Sequence, residues 1–498
     1  MKKIVSLILS LTVAASLFAQ TAEDKLIFSQ EYYEGTARSM AMGNAFTAVG
    51  GDMGAIGINP ASSGVFRYSQ VVFTPSLTSS RSNATYLGTA ETTRQTGMTV
   101  SNFGSVISFE TGNYSGLMNY NFGFVYNRRN NFRSKMSVHG TTDQTSMLSA
   151  LAAGLEGYDW MDIDLEKTTN PYESTNAPWP GILAWNSYLL APLSWLGGKY
   201  AGITDSYMAS TENYDADFDI LYIGGNLNQR FIRRTFGGDQ EFSLNFGANV
   251  NDMFYFGANV NFQSVNRTVE EFYEEAAQNS SDFEDGFVSM DNSYWQRTTG
   301  SGINLKFGVI VTPIAGLRLG ATFTTPTWFN LTDEWDYTMN SSFNNSKNYT
   351  VYSPTGTWNY KFAAPLRWSV GAAYTFWDLG LISVDYENVN YASLSNSFRS
   401  ASIIRAGAEV RIGEIFALRG GYQYYTPAIK GDPAMSVYSA GVGFNVTRGF
   451  SIDLAWNRTS SKSETFQLYD DYSPAVSAPS GTNTYGLSRF VCTFGFKF

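Results

Sequence analysis

The chain has 498 residues, with 33 Lys and Arg against 43 Asp and Glu, a formal net charge of -10. That balance excludes a general nucleic-acid surface, because neutralising phosphates takes clustered Lys and Arg. Aromatic residues make up 16%, charged residues only 15%, and glycine occurs 46 times, the composition of a β-rich, aromatic-heavy chain and not of a soluble α/β enzyme. A single cysteine, Cys492, excludes an intramolecular disulfide framework and any multi-cysteine zinc site.

The chain opens with Lys2 and Lys3, an apolar run from Ile4 to Phe18 and small residues before Ala19, which predicts a secretory signal peptide over residues 1–19. Its removal takes two lysines and shifts the formal charge from -10 to -12. Beyond it no run of about 18 uninterrupted apolar residues occurs, so no helical membrane span is expected. The nearest approach, Gly181 to Gly198, is interrupted by Asn186, Ser187 and Pro192.

Residues 20–68 form the next unit. Between Gly35 and Gly64 the sequence reads GTARSMAMGNAFTAVGGDMGAIGINPASSG, a stretch of small residues that suits a compact insert wedged inside something larger. Met40, Met42, Phe46, Val49, Met53 and Ile56 set it apart from a glycine-rich linker. Gly35, Gly43, Asn44, Gly51, Asp52, Asn59, Pro60 and Ala61 are its candidate gating residues.

From residue 69 to 498 the pattern is that of a transmembrane antiparallel β-barrel. Strands are expected near 69–80, 99–110, 117–132, 239–250, 253–267, 295–312, 316–331, 355–377, 379–394, 398–413, 415–427, 434–447, 450–462 and 484–498, fourteen in all, an even number as single-chain bacterial barrels have. Phe242, Leu244, Phe246, Ala248 and Val250 alternate with Ser243, Asn245, Gly247 and Asn249, and the tight turn Asn251-Asp252 leads into a mirrored strand. Ile404, Ala406, Ala408, Val410 and Ile412 oppose Arg405, Glu409 and Arg411, placing charge on the inner face. The last strand ends with Phe490, Cys492, Phe494, Phe496 and Phe498 at alternate positions, which resembles the signal by which outer-membrane barrels are recognised for assembly.

Short turns such as Pro313 to Gly316, Trp377-Asp378 and Gly413-Glu414 belong on the periplasmic side, and the long connections near 133–238, 268–294, 332–354 and 463–483 outside. The segment 133–238 is too long for a structureless loop. In it Ile182, Trp185, Leu189, Leu193 and Leu196 recur at helical spacing, with Pro192 expected to kink or divide the helix. Trp179, Trp185, Leu189, Leu193 and Trp195 are candidates for capturing a ligand; the alternative is that this stripe only seats the loop on the barrel mouth. Thr268 to Ser280, with Glu270, Glu271, Glu274 and Glu275, reads as an acidic helical loop, and Asp282 to Gly286 lacks the ligand spacing of a calcium-binding hand. Inward Arg318, Arg405, Glu409, Arg411, Arg419, Asp453 and Lys497 fit ion pairs lining the lumen, or a site for a carboxylate head group.

Enzyme readings lack residues: His139 is the only histidine, no Gly-x-Ser-x-Gly occurs, and Gly197-Gly198-Lys199 has no phosphate-loop frame. No catalytic residue, metal or cofactor is expected.

The segment Gly35 to Gly64, with its Asn59-Pro60-Ala61 triplet, followed by the barrel pattern, resembles the FadL/TodX family of outer-membrane transporters for hydrophobic compounds, in the form found in Bacteroidetes-like bacteria and sometimes labelled hemin receptors. The resemblance implies a barrel of fourteen strands in the outer membrane, an N-terminal hatch in the lumen and partly helical outer loops. It implies passive uptake of fatty acids, aromatic hydrocarbons or similar compounds, captured by the outer loops and released through a lateral opening in the wall, for which a kink near Gly123 is the candidate. Lipid and lipopolysaccharide, the barrel assembly machinery and a hydrophobic ligand are the implied partners, and a monomer the implied state. A FadL-like surface scaffold or shuttle of a secretion system and a general diffusion porin are the alternatives. A TonB-coupled receptor would need a larger plug and barrel.

Overall fold

The computed structural model describes residues 9–10, 22–460, 462–473 and 476–498. The expected signal peptide falls almost wholly outside the described residues. Among the described residues no helix is long and apolar enough to cross a membrane.

Strands with apolar residues on one face and polar residues on the other close into an antiparallel barrel of fourteen wall positions. The circuit runs Gln70–Tyr86, Thr89–Glu110, Leu117–Asn131 continued by Ser134–Thr142, Leu227–Val250, Phe254–Ala277 and Phe287–Ile314. It goes on through Leu317–Thr324 continued by Trp328–Phe343, Arg367–Phe376 with Gly356–Ala363, Gly380–Asn390, Ser400–Ile412, Phe416–Tyr425, Met435–Thr447, Phe450–Thr459 continued by Lys462–Gln467, and Ser480–Lys497. Ser480–Lys497 pairs back onto Gln70–Tyr86 and removes the sheet edge. Phe242, Leu244, Phe246, Phe256, Phe262, Val410, Phe490 and Phe496 point outward and are exposed, whereas Asn245, Asn249, Asn259, Asn261, Arg405 and Arg489 are buried on the lumen side. A closed barrel with an apolar outer belt and a polar lumen satisfies every backbone group in hydrocarbon, so the chain is an outer-membrane β-barrel.

Several elements differ from the sequence reading. Thr268 to Ser280 is not a helical loop: Phe254–Ala277 continues as strand to residue 277, because its neighbours Leu227–Val250 and Phe287–Ile314 are as long and offer partners on both edges. The wall also claims both ends of segment 133–238, through Ser134–Thr142 and the start of Leu227–Val250, leaving 143–226 as the insert. The ranges 316–331 and 355–377 are each interrupted, at Thr325 to Thr327 and Ala364 to Leu366, where prolines remove a ladder donor. The stripe from Ile182 to Leu196 is not one helix: Trp179–Asn186 ends first, and Leu190–Pro192 is a short strand.

In Leu117–Asn131 Gly123 is paired on both edges, to Val106 and Asn245, with no shift of register there. The interruption lies above it. Thr89–Glu110 is laddered to Leu117–Asn131 only over Asn102 to Glu110, and among the described residues no ladder joins its outer half to Ser134–Thr142. There the wall is bridged by side chains: Thr93 Oγ1 donates to the Lys135 carbonyl at 2.7 Å, and the Arg133 guanidinium lies over Gly97.

Candidate functional site

The lumen is filled by residues 22–68. Helix Ala22–Ser29 spans its outer end, with Leu26 against Val389 and Ala401 and Phe28 against Val265 and Phe329. Below it follow helices Ala37–Ala41 and Ala55–Ile58 and the 3-10 turn Pro60–Val65. Short helices form here because small residues and capping side chains alternate. Thr36 caps the first, and Asp52 Oδ1 accepts from Thr36 Oγ1 at 2.7 Å and from the Gly54 amide at 2.9 Å.

The candidate gating residues converge in this plug. Asn59 Nδ2 donates to the Thr47 carbonyl at 2.6 Å and to the wall carbonyl of Val309 at 3.3 Å, while Asn59 Oδ1 accepts from the Ala61 amide at 3.0 Å. Pro60 opens the 3-10 turn, where its missing N–H costs nothing. Asn44, at φ 53°, donates to the Tyr33 carbonyl at 3.0 Å. Gly43, at φ 62°, lies against the wall backbone of Ala406 and Tyr422, so both its conformation and its surroundings require glycine. Gly51 also has a positive φ, and Gly35 lies against Ser39 and Gly54.

The wall answers with glycines of its own. Gly247, Gly257 and Gly308 are direct cross-strand neighbours, and a Cβ on any of them would collide with Asn59, Pro60 or Ser63. Gly320 and Gly371 are paired and face Thr47, and Gly407 and Gly421 are paired and face Met42 and Gly43. This belt lets the plug approach the wall backbone closely on seven of the fourteen wall strands. Of these glycines the sequence reading placed Gly247 and Gly257 on an inward face and did not single out the others; the available signal was their recurrence on the polar face of consecutive strands.

Two chemistries hold the plug in place. On one side asparagines donate to its carbonyls: Asn245 to Pro60 at 3.2 Å, Asn259 to Ile56 at 3.0 Å and Asn119 to Phe66 at 3.1 Å. On the other, Arg38 of the plug meets Glu409 at 2.8 Å, which also takes Arg419 at 2.7 Å and Arg411 at 3.1 Å, and Arg419 reaches Asp453 at 2.5 Å. Glu31 bridges Arg129 and Arg367, Glu387 joins Arg367 at 2.9 Å to Arg405 at 2.7 Å, and Glu34 pairs with Arg489 at 2.9 Å. Arg405, Glu409, Arg411, Arg419 and Asp453 are thus engaged in ion pairs, and Arg318 donates to the Val49 carbonyl.

The insert 143–226 seats on the outward extension of the wall. Trp179 and Leu189 are buried in an apolar core shared with Tyr86, Phe231, Tyr273, Phe287 and Phe343 of the wall, and Trp179 packs on Trp335 at 5.7 Å. Trp185 packs between Trp160 and Trp195 with tilted rings, and Trp195 itself is 67% exposed at the rim. Leu193 is half-buried. The five candidate capture residues therefore run from the core of the cap to its surface. Glu275, in the supposed acidic loop, is buried beneath the cap, where its Oε2 accepts from Ser146 Oγ at 3.1 Å and its Oε1 from Gln229 at 3.2 Å. Burial also raises the Glu212 carboxyl within the cap. His139 stands in the wall extension, exposed, 3.2 Å from Glu91. A cavity of about 180 Å³ lies between Asp24 of the plug helix, Met147 of the cap and the wall, and a second of about 310 Å³, lined by the wall alone, shares its Arg233 and Arg267.

No family model and no curated protein matches the chain. Solved structures do. The Pseudomonas putida toluene transporter TodX aligns with a TM-score of 0.55 at 13% identity, covering 93% of this chain and 99% of that one. A Pseudomonas aeruginosa FadL homologue aligns with a TM-score of 0.54 at 11% identity, covering 94% and 99%. The fold is of the FadL/TodX type.

Proposed function

We propose that the chain is a passive outer-membrane channel for small hydrophobic compounds, gated by residues 22–68, and that it has no enzymatic role. The observation that carries this reading is the filled lumen: a barrel of fourteen strands packed by residues 22–68 into contact with the wall backbone disfavours a general diffusion porin. A ligand would pass from the cap, through Trp195 and its neighbours, into the cavities above the plug. It would leave sideways where the ladder between Thr89–Glu110 and Ser134–Thr142 is interrupted, a site that replaces Gly123 as the candidate opening. The likeness to a toluene transporter supports a hydrophobic cargo.

The test is extraction. Protein purified from outer membranes in mild detergent is extracted with organic solvent, and stoichiometric apolar molecules are identified by mass spectrometry against another barrel from the same membrane. An enriched hydrophobic molecule is expected. A stably copurifying secreted protein and no such molecule would point to a surface scaffold instead. Deleting residues 35–64, or replacing Asn59 by Ala, is expected to raise ion conductance or abolish uptake in an assembled barrel; unchanged conductance and uptake would overturn gating by the plug.

A further inference from the structure

The outer half of the wall beside the interrupted ladder places like charges face to face. In the antiparallel pair Gln70–Tyr86 and Thr89–Glu110, Arg81 stands directly opposite Arg94, and in the pair Ser134–Thr142 and Leu227–Val250, Lys135 stands directly opposite Arg234. Like charges opposed across a ladder destabilise a sheet, so two such pairs call for an anion from outside it. All four face away from the lumen. Arg81 shares its face with the exposed Phe73 and Leu77, and Arg234 shares its face with Phe242 and Leu244, while Met136 and Val138 beside Lys135 are buried on the inner side. Among the described residues none of the four meets a carboxylate within 4.0 Å. Arg81 Nε donates to Asn83 Oδ1 at 3.1 Å, and Glu270, the neighbour of Arg234 across its other edge, stays beyond that reach.

The two pairs flank the seam. Thr93, next to Arg94, donates to the Lys135 carbonyl at 2.7 Å, so the four cations sit side by side on four consecutive wall positions with the missing ladder in the middle. Arg81 lies four residues beyond Leu77, about 13 Å along the strand, where a tilted strand passes from hydrocarbon into headgroups. On a chain of formal net charge -10, a row of outward cations at that depth runs against the overall balance. Depth and chemistry together select a phosphate carried by a lipid. Guanidinium groups take phosphate oxygens in bidentate fashion, and acyl chains below such a phosphate would lie on Leu77, Met98 and Phe242, all exposed.

We propose that this row binds the phosphate groups of an outer-leaflet glycolipid, one headgroup bridging Arg81 and Arg94 on one side of the seam to Lys135 and Arg234 on the other. The lipid neutralises two repelling pairs and closes from outside a seam that backbone hydrogen bonds leave open. Binding is independent of what the barrel transports.

The experiment is native mass spectrometry of the purified full chain in mild detergent, loaded with phosphorylated lipid A, with the same lipid dephosphorylated, or with inorganic phosphate. Phosphorylated lipid A is expected to be retained about tenfold or more over the dephosphorylated form, the scale of one charge-assisted pair. Arg81→Gln with Arg94→Gln should reduce that preference severalfold, and adding Lys135→Gln and Arg234→Gln should abolish it. Arg399→Gln with Lys430→Gln, an equal loss of charge at exposed positions beside Ser400–Ile412 and Phe416–Tyr425, should leave it unchanged. Thermal melting gives a second reading: without lipid the Arg81→Gln, Arg94→Gln chain should melt no lower than the native one, since a repulsion is relieved, and phosphorylated lipid A should raise the native melting temperature more. Equal retention of the two lipids by the native chain, a preference that survives all four substitutions, or inorganic phosphate binding as tightly as the lipid would overturn the proposal. The native comparison needs no variant, so it decides even where the fourfold variant does not assemble. Any of these failures leaves the uptake reading standing.

Discussion

The barrel has a tall side and a short side. Leu227–Val250, Phe254–Ala277 and Phe287–Ile314 are 24, 24 and 28 residues long, whereas Arg367–Phe376, Gly380–Asn390 and Phe416–Tyr425 are 10, 11 and 10. A tilted strand needs roughly 9–11 residues to cross hydrocarbon, so the short side is little more than a membrane wall. The surplus on the tall side stands outside the membrane and carries the cap. The same division appears at the plug. The tall side holds it mainly through neutral asparagine amides, with Lys306 on the Gly57 carbonyl and Arg129 on Glu31 as its charged contacts, and the short side through Arg38, Glu409, Arg419, Asp453, Glu387 and Arg405. Neutral bonds are indifferent to salt and are individually small, while a buried charge network is cooperative and fails badly when one member is removed. The difference teaches that the plug has a fixed, graded attachment on one side and an all-or-none latch on the other.

Glu409→Ala is the harshest way to break that comparison. Three guanidinium groups, of Arg38, Arg411 and Arg419, share this carboxylate, whose side chain is 1% exposed. Breaking a buried pair by removing one partner costs about 3–5 kcal/mol. Single-channel recording is expected to show frequent large openings, with Glu409→Gln intermediate; a quiet trace would mean the charged side is no latch. Trp179→Ala attacks the tall side far from the plug, at a core position whose truncation costs about 3 kcal/mol. It should expose residues 143–226 to protease while leaving conductance unchanged, and a leaking barrel would show that cap and plug are coupled. Gly257→Val is expected to cost about 1–3 kcal/mol of overpacking against the backbone of Pro60 and Ala61. Its signature should be a lowered melting temperature of the plug, followed by hydrogen exchange of residues 55–66.

The fold was legible because a barrel writes period two into every strand: Phe242, Leu244 and Phe246 face lipid as their alternation requires, and Asn251-Asp252, both at φ 58°, make the tight turn between mirrored strands. What period two does not encode is where a strand stops. Glu270 to Glu275 carry enough charge to read as a solvated helix, and only pairing with strands of equal length keeps them extended. The plug was legible as a unit from its small residues and its Asn59-Pro60-Ala61 triplet. Its grip was not, since it depends on which of many inward asparagines and glycines lie at one height in the barrel, a property of stagger that no single strand displays. The capture residues were hardest, because the stripe from Ile182 to Leu196 is split by a strand and turns its members to different depths of the cap.

Asn259→Ala sharpens the comparison with the smallest effect. Asn259 Nδ2 donates to the Ile56 carbonyl at 3.0 Å, and its Oδ1 accepts from Asn245 Nδ2 at 2.7 Å, so truncation removes one plug contact and leaves a neighbouring amide that can turn to the Pro60 carbonyl it already meets. A neutral hydrogen bond contributes about 1 kcal/mol net, and the relay through Asn245 should recover part of it. The variant is therefore expected to conduct like the native chain at every salt concentration. Glu409→Gln, by contrast, should show openings that depend on ionic strength, because it deprives the Arg38, Arg411 and Arg419 guanidinium groups of their shared carboxylate and salt screens the repulsion left among them. If Asn259→Ala opened the channel as readily as Glu409→Ala, the neutral side would be the latch, and the direction in which the plug yields would have to be reversed.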